Sequence, residues 1–523
     1  MQADTTNALR TALIFAFALV FAGSRAAPSA AQDSDPETPR NVVFILSDDH
    51  RYDFMSFMEG APDFLETPAM DRMAREGAHL ANAFVSTSLC SPSRASILTG
   101  QLAHTHGVVD NLRRVPEGTR FFPQDLQEVG YRTGFFGKWH MGGASSEPRK
   151  GFDRWVSFRG QGSYYDPTLN IDGVEEQKRG YTAELLTDYA LDWMKKQRDR
   201  EEPFFAYLSH KNVHARFRPA PQDSGRYADA EPAYPATMYT DAAGRESWPD
   251  WVKEQRSSWH GVDYMYHGAL DFDTFYQRYA ETVNGIDRSI GRVMDYLEKE
   301  GLAENTLVVY MGDNGFSFGE HGLIDKRHAF EESIRVPMLA WAPGFIEEGT
   351  RVDHMIQNID VAPTVLSLAG AQFPEGHTVH GRSFMPLLAG ESVDDWRESI
   401  LYEYYWEHTF PQTPTQFALR TNRYKYIFYY GLWGEDAFFD LKNDPKETHN
   451  LIDSEAHQDK ITSMRDRLFE RLEATGGMQV PLRAPKGDRL DETRPGGEPS
   501  TDPLVNDGGD ARSGGGEDAS ERE

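Results

Sequence analysis

Asp48-Asp49 and Asp313-Asn314 are two adjacent pairs of side chains that offer oxygen atoms as ligands. Neighbouring carboxylates repel each other unless a cation or dense hydrogen bonding neutralises them. A donor set built from oxygen suits Ca2+ first, Mg2+ second and Zn2+ poorly. Asp48-Asp49 alone reads better as a helix cap; the second carboxylate–amide pair turns the balance toward a divalent ion. Cys90 is the only cysteine in 523 residues and opens the run Cys90-Ser-Pro-Ser-Arg94-Ala-Ser-Ile-Leu-Thr-Gly100. It has no partner for an intramolecular disulfide and no second thiolate for a metal site. A free cysteine usually ends as an inert buried hydrophobe, but this one stands at a polar helix start, which favours anionic chemistry. Lys138 and His140, and His210 and His214, add a cation and proton carriers. Such a set has the means to bind an anion, hold a nucleophile and move protons.

These residues share a position relative to the strands that must carry them. The apolar run Asn41-Val-Val-Phe-Ile-Leu46 stops at Ser47-Asp48-Asp49, and Thr306-Leu-Val-Val-Tyr-Met311 stops at Gly312-Asp313-Asn314. Tyr131 to Phe136 leads into Gly137-Lys138-Trp139-His140, and Phe204 to Leu208 leads into Ser209-His210-Lys-Asn-Val-His214. Continuous apolar runs of this length read as strands buried on both faces of a parallel sheet. Ligands bind beyond the carboxyl ends of such strands. Helical patterns from Thr67-Pro68 to Gly77, from Thr182 to Lys196 and from Tyr279 to Glu300 alternate with the strands. The alternation predicts an α/β fold with a large mixed or parallel sheet flanked by helices. After about Gly390 the texture changes to short strands at 399–405, 416–420 and 424–430, then a helix at 460–474. This predicts a catalytic domain over residues 40–390 and a C-terminal α+β subdomain over 391–483, built on a smaller antiparallel sheet.

The run from Cys90, read as Cys-x-Pro-x-Arg followed by Leu-Thr-Gly, resembles the signature of the sulfatase family. The similarity extends from about Asn41 to Leu451 and includes Phe439-Asp-Leu-Lys-Asn-Asp-Pro. It implies an alkaline-phosphatase-like fold and hydrolysis of sulfate esters. It also implies that a separate formylglycine-generating, sulfatase-maturing enzyme oxidises Cys90 to 3-oxoalanine (formylglycine). The hydrated aldehyde is then the nucleophile: one oxygen attacks sulfur, and the other loses its proton to expel sulfate and restore the carbonyl. By the same resemblance, Asp48, Asp49, Asp313, Asn314 and the modified Cys90 hold Ca2+. Arg94 and Lys138 support the hydrate, His140 is the base that collapses the intermediate, and Lys326 clamps the sulfate. His214 contacts the sulfate and helps protonate the leaving group.

Other positions are read more openly. Met141 replaces the Leu usual after Gly-Lys-Trp-His, and Arg216 stands where many relatives have Pro, offering a further cation for a polyanionic substrate. His210 is either a substrate contact or a core histidine. The stretch Gln255 to Gly268 looks like the branch of N-acetylglucosamine-6-sulfatases or mucin-desulfating enzymes. Trp259, His260 and His267, with Tyr264 and Tyr266, would there line a sugar subsite, or else pack a loop. His104 and His106 are read as structural. Asp325, Arg327, Glu331, Glu332 and Arg335 are expected to form ion pairs that position Lys326.

The termini and the charge set limits. Residues 1–31 carry Arg10, an apolar stretch from Ala12 to Ala22 and Ser29-Ala30-Ala31, the pattern of a secretory signal peptide. That predicts a secreted or periplasmic protein, and the stretch is too short for a membrane span. Residues 484–523 are expected to be a disordered acidic tail. A net charge of −28 argues against nucleic acid and anionic membranes as partners. A sulfated carbohydrate is an anion too, so its site must be locally cationic. Three readings follow: a calcium-dependent sulfatase acting on a glycosaminoglycan, mucin or algal-type polysaccharide; a phosphodiester or phosphonate monoester hydrolase using the same site; and a non-catalytic sulfoglycan-binding protein, should Cys90 stay unmodified.

Overall fold

The alternating side chains of the first apolar run feed two separate cores. Val43 and Ile45 point into one, Val42, Phe44 and Leu46 into the other, and all five are fully buried. A strand with both faces covered in this way must lie inside a sheet that carries helices on both sides. The structure, a computed structural model, describes residues 40–141, 145–238, 248–255, 258, 260–262 and 271–481. The expected signal peptide, the tail from residue 484, Trp259, His267 and the tyrosines beside them lie outside the described residues.

The strands in chain order are β1 Asn41–Ser47, β2 Ala78–Phe84, β3 Arg132–Gly137, β4 Arg154–Ser157, β5 Thr168–Ile171 and β6 Val174–Gln177. They continue with β7 Phe204–Ser209, β8 Thr306–Gly312, β9 Ser317–Phe318, β10 Ile324–Asp325, β11 Met338–Trp341 and β12 Thr350–Gln357. The last four are β13 Ser399–Tyr404, β14 Gln416–Thr421, β15 Tyr424–Tyr429 and β16 Ala437–Asp440. A ten-stranded sheet runs β12-β2-β11-β8-β1-β7-β3-β4-β5-β6. Its centre, β8-β1-β7-β3-β4, is parallel throughout. β11 is antiparallel to both of its neighbours, and β5 and β6 extend the far edge antiparallel, so the sheet is mixed.

The helices Pro68–Arg75, Thr182–Gln197 and Phe272–Lys299 cover one face through Met70 and Met73, Leu186 and Trp193, and Val283, Ile286 and Ile290. The helices Cys90–Thr99, Pro123–Glu128 and Val361–Leu368 cover the other through Ile97 and Leu98, Leu126, and Val365. The longest helix starts earlier than its apolar stripe suggests, at Phe272 rather than Tyr279. Asp271 caps it by accepting from the Thr274 amide at 2.8 Å.

The small sheet β13-β14-β15-β16 is antiparallel throughout. Helix Gln458–Thr475 seals it with Ile461, Met464, Leu468 and Leu472, each contributing about 1.5–3 kcal/mol of apolar burial. His104 ties the regions together: its Nδ1 lies 2.7 Å from Glu403 Oε2 on β13, and its Nε2 lies 3.0 Å from the Thr475 carbonyl. No helix among the described residues is long and apolar enough to cross a membrane.

Candidate active site

The central strands end side by side, and backbone hydrogen bonds stitch the loops beyond them into one rim. The Asp48 amide donates to the Asn212 carbonyl at 2.8 Å, and the Asp313 amide to the Ser47 carbonyl at 2.9 Å. The Lys138 amide donates to the Ser209 carbonyl, also at 2.8 Å. That last approach requires glycine before it: a Cβ on Gly137, at φ +129°, would lie 1.7 Å from the Ser209 carbonyl oxygen.

Four oxygen-bearing residues converge on this rim. The Asp49 amide donates to Asp313 Oδ1 at 3.1 Å, and Asn314 Nδ2 donates to Asp49 Oδ1 at 2.7 Å. One oxygen from each of Asp48, Asp49 and Asp313 lies within 4.8 Å of the others. Asp49 Oδ2 and Asn314 Oδ1 are buried and accept no hydrogen bond. Hard donors so close, two of them unsatisfied, fit a divalent ion such as Ca2+ or Mg2+.

Cys90 is the first residue of its helix, and its thiol donates to Asp48 Oδ1 at 3.4 Å. Lys326 Nζ donates to Cys90 Sγ at 3.3 Å and to Asp49 Oδ1. Lys138 Nζ donates to Asp48 Oδ2. Arg94, one helical turn after Cys90, donates through Nε to Asp313 Oδ2 at 2.8 Å. Its Nη1 donates to the Lys138 carbonyl at 2.8 Å and to Ser209 Oγ at 2.6 Å. Arg94 therefore fastens the helix to three strand ends. His140 lies against Ser91, with Ser91 Oγ 3.3 Å from its Nδ1, and its buried Nε2 has no partner. His214 Nε2 is 3.9 Å from Asp49 Oδ2.

Burial and neighbouring charge divide these groups. Burial pushes Asp48 up, but the cations Lys138, Arg94 and Lys326 together hold it well below the usual carboxylate range. Burial, opposed by Lys326 and reinforced by Asp48, Asp325 and Asp313, lifts Asp49 to about 7. Burial, then Asp48, drives the Cys90 thiol well above its ordinary value, so the sulfur is not held as a thiolate. Burial, then Lys138, pushes His140 and His214 well below theirs, which leaves both rings neutral. Burial pulls Lys326 down, but Asp49, Asp325 and Asp48 outweigh it and raise the ammonium well above its usual range.

Ten of the residues expected at a site are therefore together: Asp48, Asp49, Cys90, Arg94, Lys138, His140, His214, Asp313, Asn314 and Lys326. Two are not where a substrate contact needs them. His210 is fully buried and turns away from the rim, its Nε2 2.9 Å from Ser289 Oγ on helix Phe272–Lys299. It is a core histidine. His260 Nε2 sits 3.0 Å from Asp325 Oδ2, and its ring packs on Phe410 at 4.4 Å, so it braces the residue beside Lys326 instead of lining a sugar subsite. Arg216 is half-buried on the segment that follows His214.

The expected ion pairs divide as well. Arg327 Nη1 meets Asp325 Oδ2 at 2.6 Å, next to Lys326. Glu331 instead reaches the small sheet, pairing with Arg420 at 3.2 Å and Lys425 at 2.8 Å. Sequence reasoning passed over Asn111, whose Oδ1 accepts the Ser91 amide at 3.0 Å, and Tyr279, whose hydroxyl donates to the Asp49 carbonyl at 2.7 Å. Neither carries a local signal. Ser209 is also missing from the expected set, although its place at a strand end beside His210 was visible.

Comparison with known proteins agrees with this geometry. Residues 40–371 match the family described as Sulfatase, and residues 319–474 match the C-terminal region of N-sulphoglucosamine sulphohydrolase. The chain is 31% identical over 499 residues to an N-acetylglucosamine-6-O-sulfatase of Bacteroides thetaiotaomicron, covering 84% of this chain and 88% of that protein. It is 27% identical over 477 residues to an ulvan-active sulfatase of Formosa agariphila, covering 89% and 87%. A solved structure described as a complex with its substrate D-glucosamine-2-N,6-O-disulfate superposes with a TM-score of 0.76 at 29% identity, covering 85% of this chain and 99% of that one. With thiol, carboxylates and lysines gathered at the strand ends of the matched region, the chain belongs to the sulfatase family of the alkaline-phosphatase-like superfamily and is a sulfuric ester hydrolase.

Proposed function

We propose that this sulfatase removes sulfate from a sulfated carbohydrate, using a formylglycine made from Cys90 and a resident Ca2+, with Mg2+ as the second choice. One observation carries the reading: Cys90 Sγ stands between Asp48 Oδ1 at 3.4 Å and Lys326 Nζ at 3.3 Å, beside carboxylate and amide oxygens that lack partners. Support for a carbohydrate comes from the relatives, whose names specify N-acetylglucosamine 6-sulfate and ulvan. Support for secretion comes from the apolar stretch and small-residue site within residues 1–31.

The ion and the modified residue would supply, respectively, a positive centre for sulfate oxygens and an oxygen nucleophile. Asp48, Asp49, Asp313 and Asn314 are the residues to hold the ion. Lys138 and Lys326 draw the sulfate anion into a site from which water is largely excluded. His140, neutral and with a free Nε2, takes the proton released when sulfate departs, and His214 serves the leaving alcohol. The net reaction consumes one water and yields the free hydroxyl, sulfate and a proton.

Two measurements test the proposal together. Mass spectrometry of the peptide around Cys90 from the mature protein must show the aldehyde or its hydrate, and a panel of defined sulfated oligosaccharides must release sulfate. An unmodified thiol in active protein would overturn the nucleophile. Faster turnover of an aryl phosphodiester than of the aryl sulfate would overturn the substrate class.

A further inference from the structure

Apart from the carboxylates of the rim, three buried side chains from separate stretches of chain each bring one ligand atom to within 4.8 Å of the others: His321, Glu332 and Glu447. His321 and Glu332 flank Lys326 in the chain, and Glu447 follows β16. His321 Nε2, Glu332 Oε2 and Glu447 Oε1 are buried and make no hydrogen bond. The first two stand 3.8 Å apart, too far for one. The His321 ring is fixed by stacking on Phe330 at 3.9 Å, and Glu447 Oε2 accepts the Glu331 amide at 2.7 Å. Buried polar atoms almost always find partners, so three left over together call for a bound group.

The charge balance agrees. Five buried carboxylates share this region: Asp53, Glu320, Glu331, Glu332 and Glu447. The cations paired with them among the described residues are three. Arg51, close enough to Glu332 to feel its charge, is held by Asp53 and Glu320. Arg420 pairs with Glu331 at 3.2 Å, and Lys425 with Glu331 at 2.8 Å and Glu447 at 2.7 Å. Arg335, partly exposed, donates to the Ala81 carbonyl and lies over the Tyr52 ring. Five against three leaves two negative charges, the complement of one divalent ion, and buried charge without compensation is costly. Lys425 is not aligned for a hydrogen bond with Glu447 Oε1, and a carboxylate oxygen has lone pairs for both an ammonium and a metal.

We propose that His321, Glu332 and Glu447 hold a structural divalent transition ion, Zn2+ above others, separate from the ion of the catalytic rim. An imidazole beside two carboxylates favours Zn2+, where a set of oxygens alone favours Ca2+. Two donors of one tetrahedral ion stand about 3.3–3.6 Å apart, so the observed 3.8 Å needs little closing. A bidentate carboxylate or one bound water completes the shell. Because the donors are closed to solvent, the ion is taken up as the small sheet closes on the stretch from His321 to Glu332, not by entry into the finished fold. It staples both ends of the stretch that carries Lys326 to the loop after β16.

Full-length protein produced with Zn2+ and Ca2+ in the medium tests this. Elemental analysis should find about one Zn2+ per chain retained through dialysis. Anomalous scattering at the zinc edge should place it between the three side chains. His321→Gln and Glu447→Gln should each weaken Zn2+ retention by about a hundredfold, the upper end of what losing a mere supporting partner costs. Asp313→Asn, at the rim, should leave Zn2+ in place. The scattering measurement needs only the parent protein, so it decides the matter even if the variants fold poorly. An ordered water or no density peak between the three side chains, zinc bound elsewhere, or retention indifferent to both substitutions overturns the site.

Discussion

The ammonium of Lys326 stands 3.3 Å from the sulfur of Cys90 and also donates to Asp49 Oδ1. One cation thus couples the position of the proposed nucleophile to a carboxylate that burial lifts to about 7. Lys326→Ala should lower kcat by roughly 10²–10³-fold, the cost of losing one preorganised charge at a transition state. The far-UV circular dichroism should stay unchanged. Near-normal turnover would show that the clamp is misplaced.

Metal removal should act on stability as well as on rate. Chelation leaves Asp48, Asp49 and Asp313 crowded within 4.8 Å, with the repulsion met by lysines and Arg94 alone. Re-adding Ca2+ at a hundredfold excess over its Kd should raise unfolding free energy by about 2.7 kcal/mol. A melting temperature indifferent to both chelator and Ca2+ would contradict ion binding at this rim.

Gly137→Ala is expected to be severe for so small a change. The new methyl group would meet the Ser209 carbonyl at 1.7 Å, and φ is +129° there. Relief requires β3 and β7 to part at the point where Lys138 and Arg94 are anchored. A cost of about 1–3 kcal/mol from overpacking and a large loss of activity should appear together. Wild-type kinetics in a variant with a lowered melting temperature would show that the strand ends adjust independently.

The His104–Glu403 pair sets a pH dependence remote from the chemistry. Burial lowers the imidazole's basicity, but hydrogen bonding and charge from Glu403, with the Thr475 carbonyl on the other nitrogen, raise His104 above its usual value. With an acceptor on each nitrogen, the folded protein favours the imidazolium. A raised folded value means the stabilisation is complete below the unfolded histidine range, near pH 6.5, and is lost as pH rises through the folded value. His104→Gln should flatten that slope in denaturant melts, and Glu403→Gln should cost on the order of 3 kcal/mol at pH 6. Identical slopes in parent and His104→Gln would exclude the pair as the cause.

The legible parts of this protein are those where one physical rule governs. β1, β7 and β8 are buried on both faces, so their sequences are nearly unbroken apolar runs, and the polar residues after them, as after β3, mark the rim. β6 escaped notice because all four of its residues, Val174–Gln177, are exposed at a sheet edge and carry no apolar pattern. The antiparallel insertion of β11 between β8 and β2 was equally hidden, since strand direction leaves no mark on composition. The two histidines after β7 show a finer limit. His210 follows the strand directly and turns into the helix layer against Ser289, whereas His214, four residues on, reaches the carboxylates. A spacing names both as candidates; only the path of the turn separates them. The sequence leaves His260 open between a sugar contact and a packed loop, because its partner, Asp325, is distant in sequence.

Cys90 and Ser91 have no measurable solvent exposure and Pro92 is buried, with the thiol enclosed by the carboxylate rim and Lys326. Under the proposed chemistry, a second protein has to grip this segment to oxidise it, and no folded molecule presents it. Conversion must come while the chain is still extended, and closure of the sheet then ends the opportunity. A molecule that folds first is trapped as an inert twin of the active one, so the active fraction of any preparation records a race between two clocks, folding and oxidation.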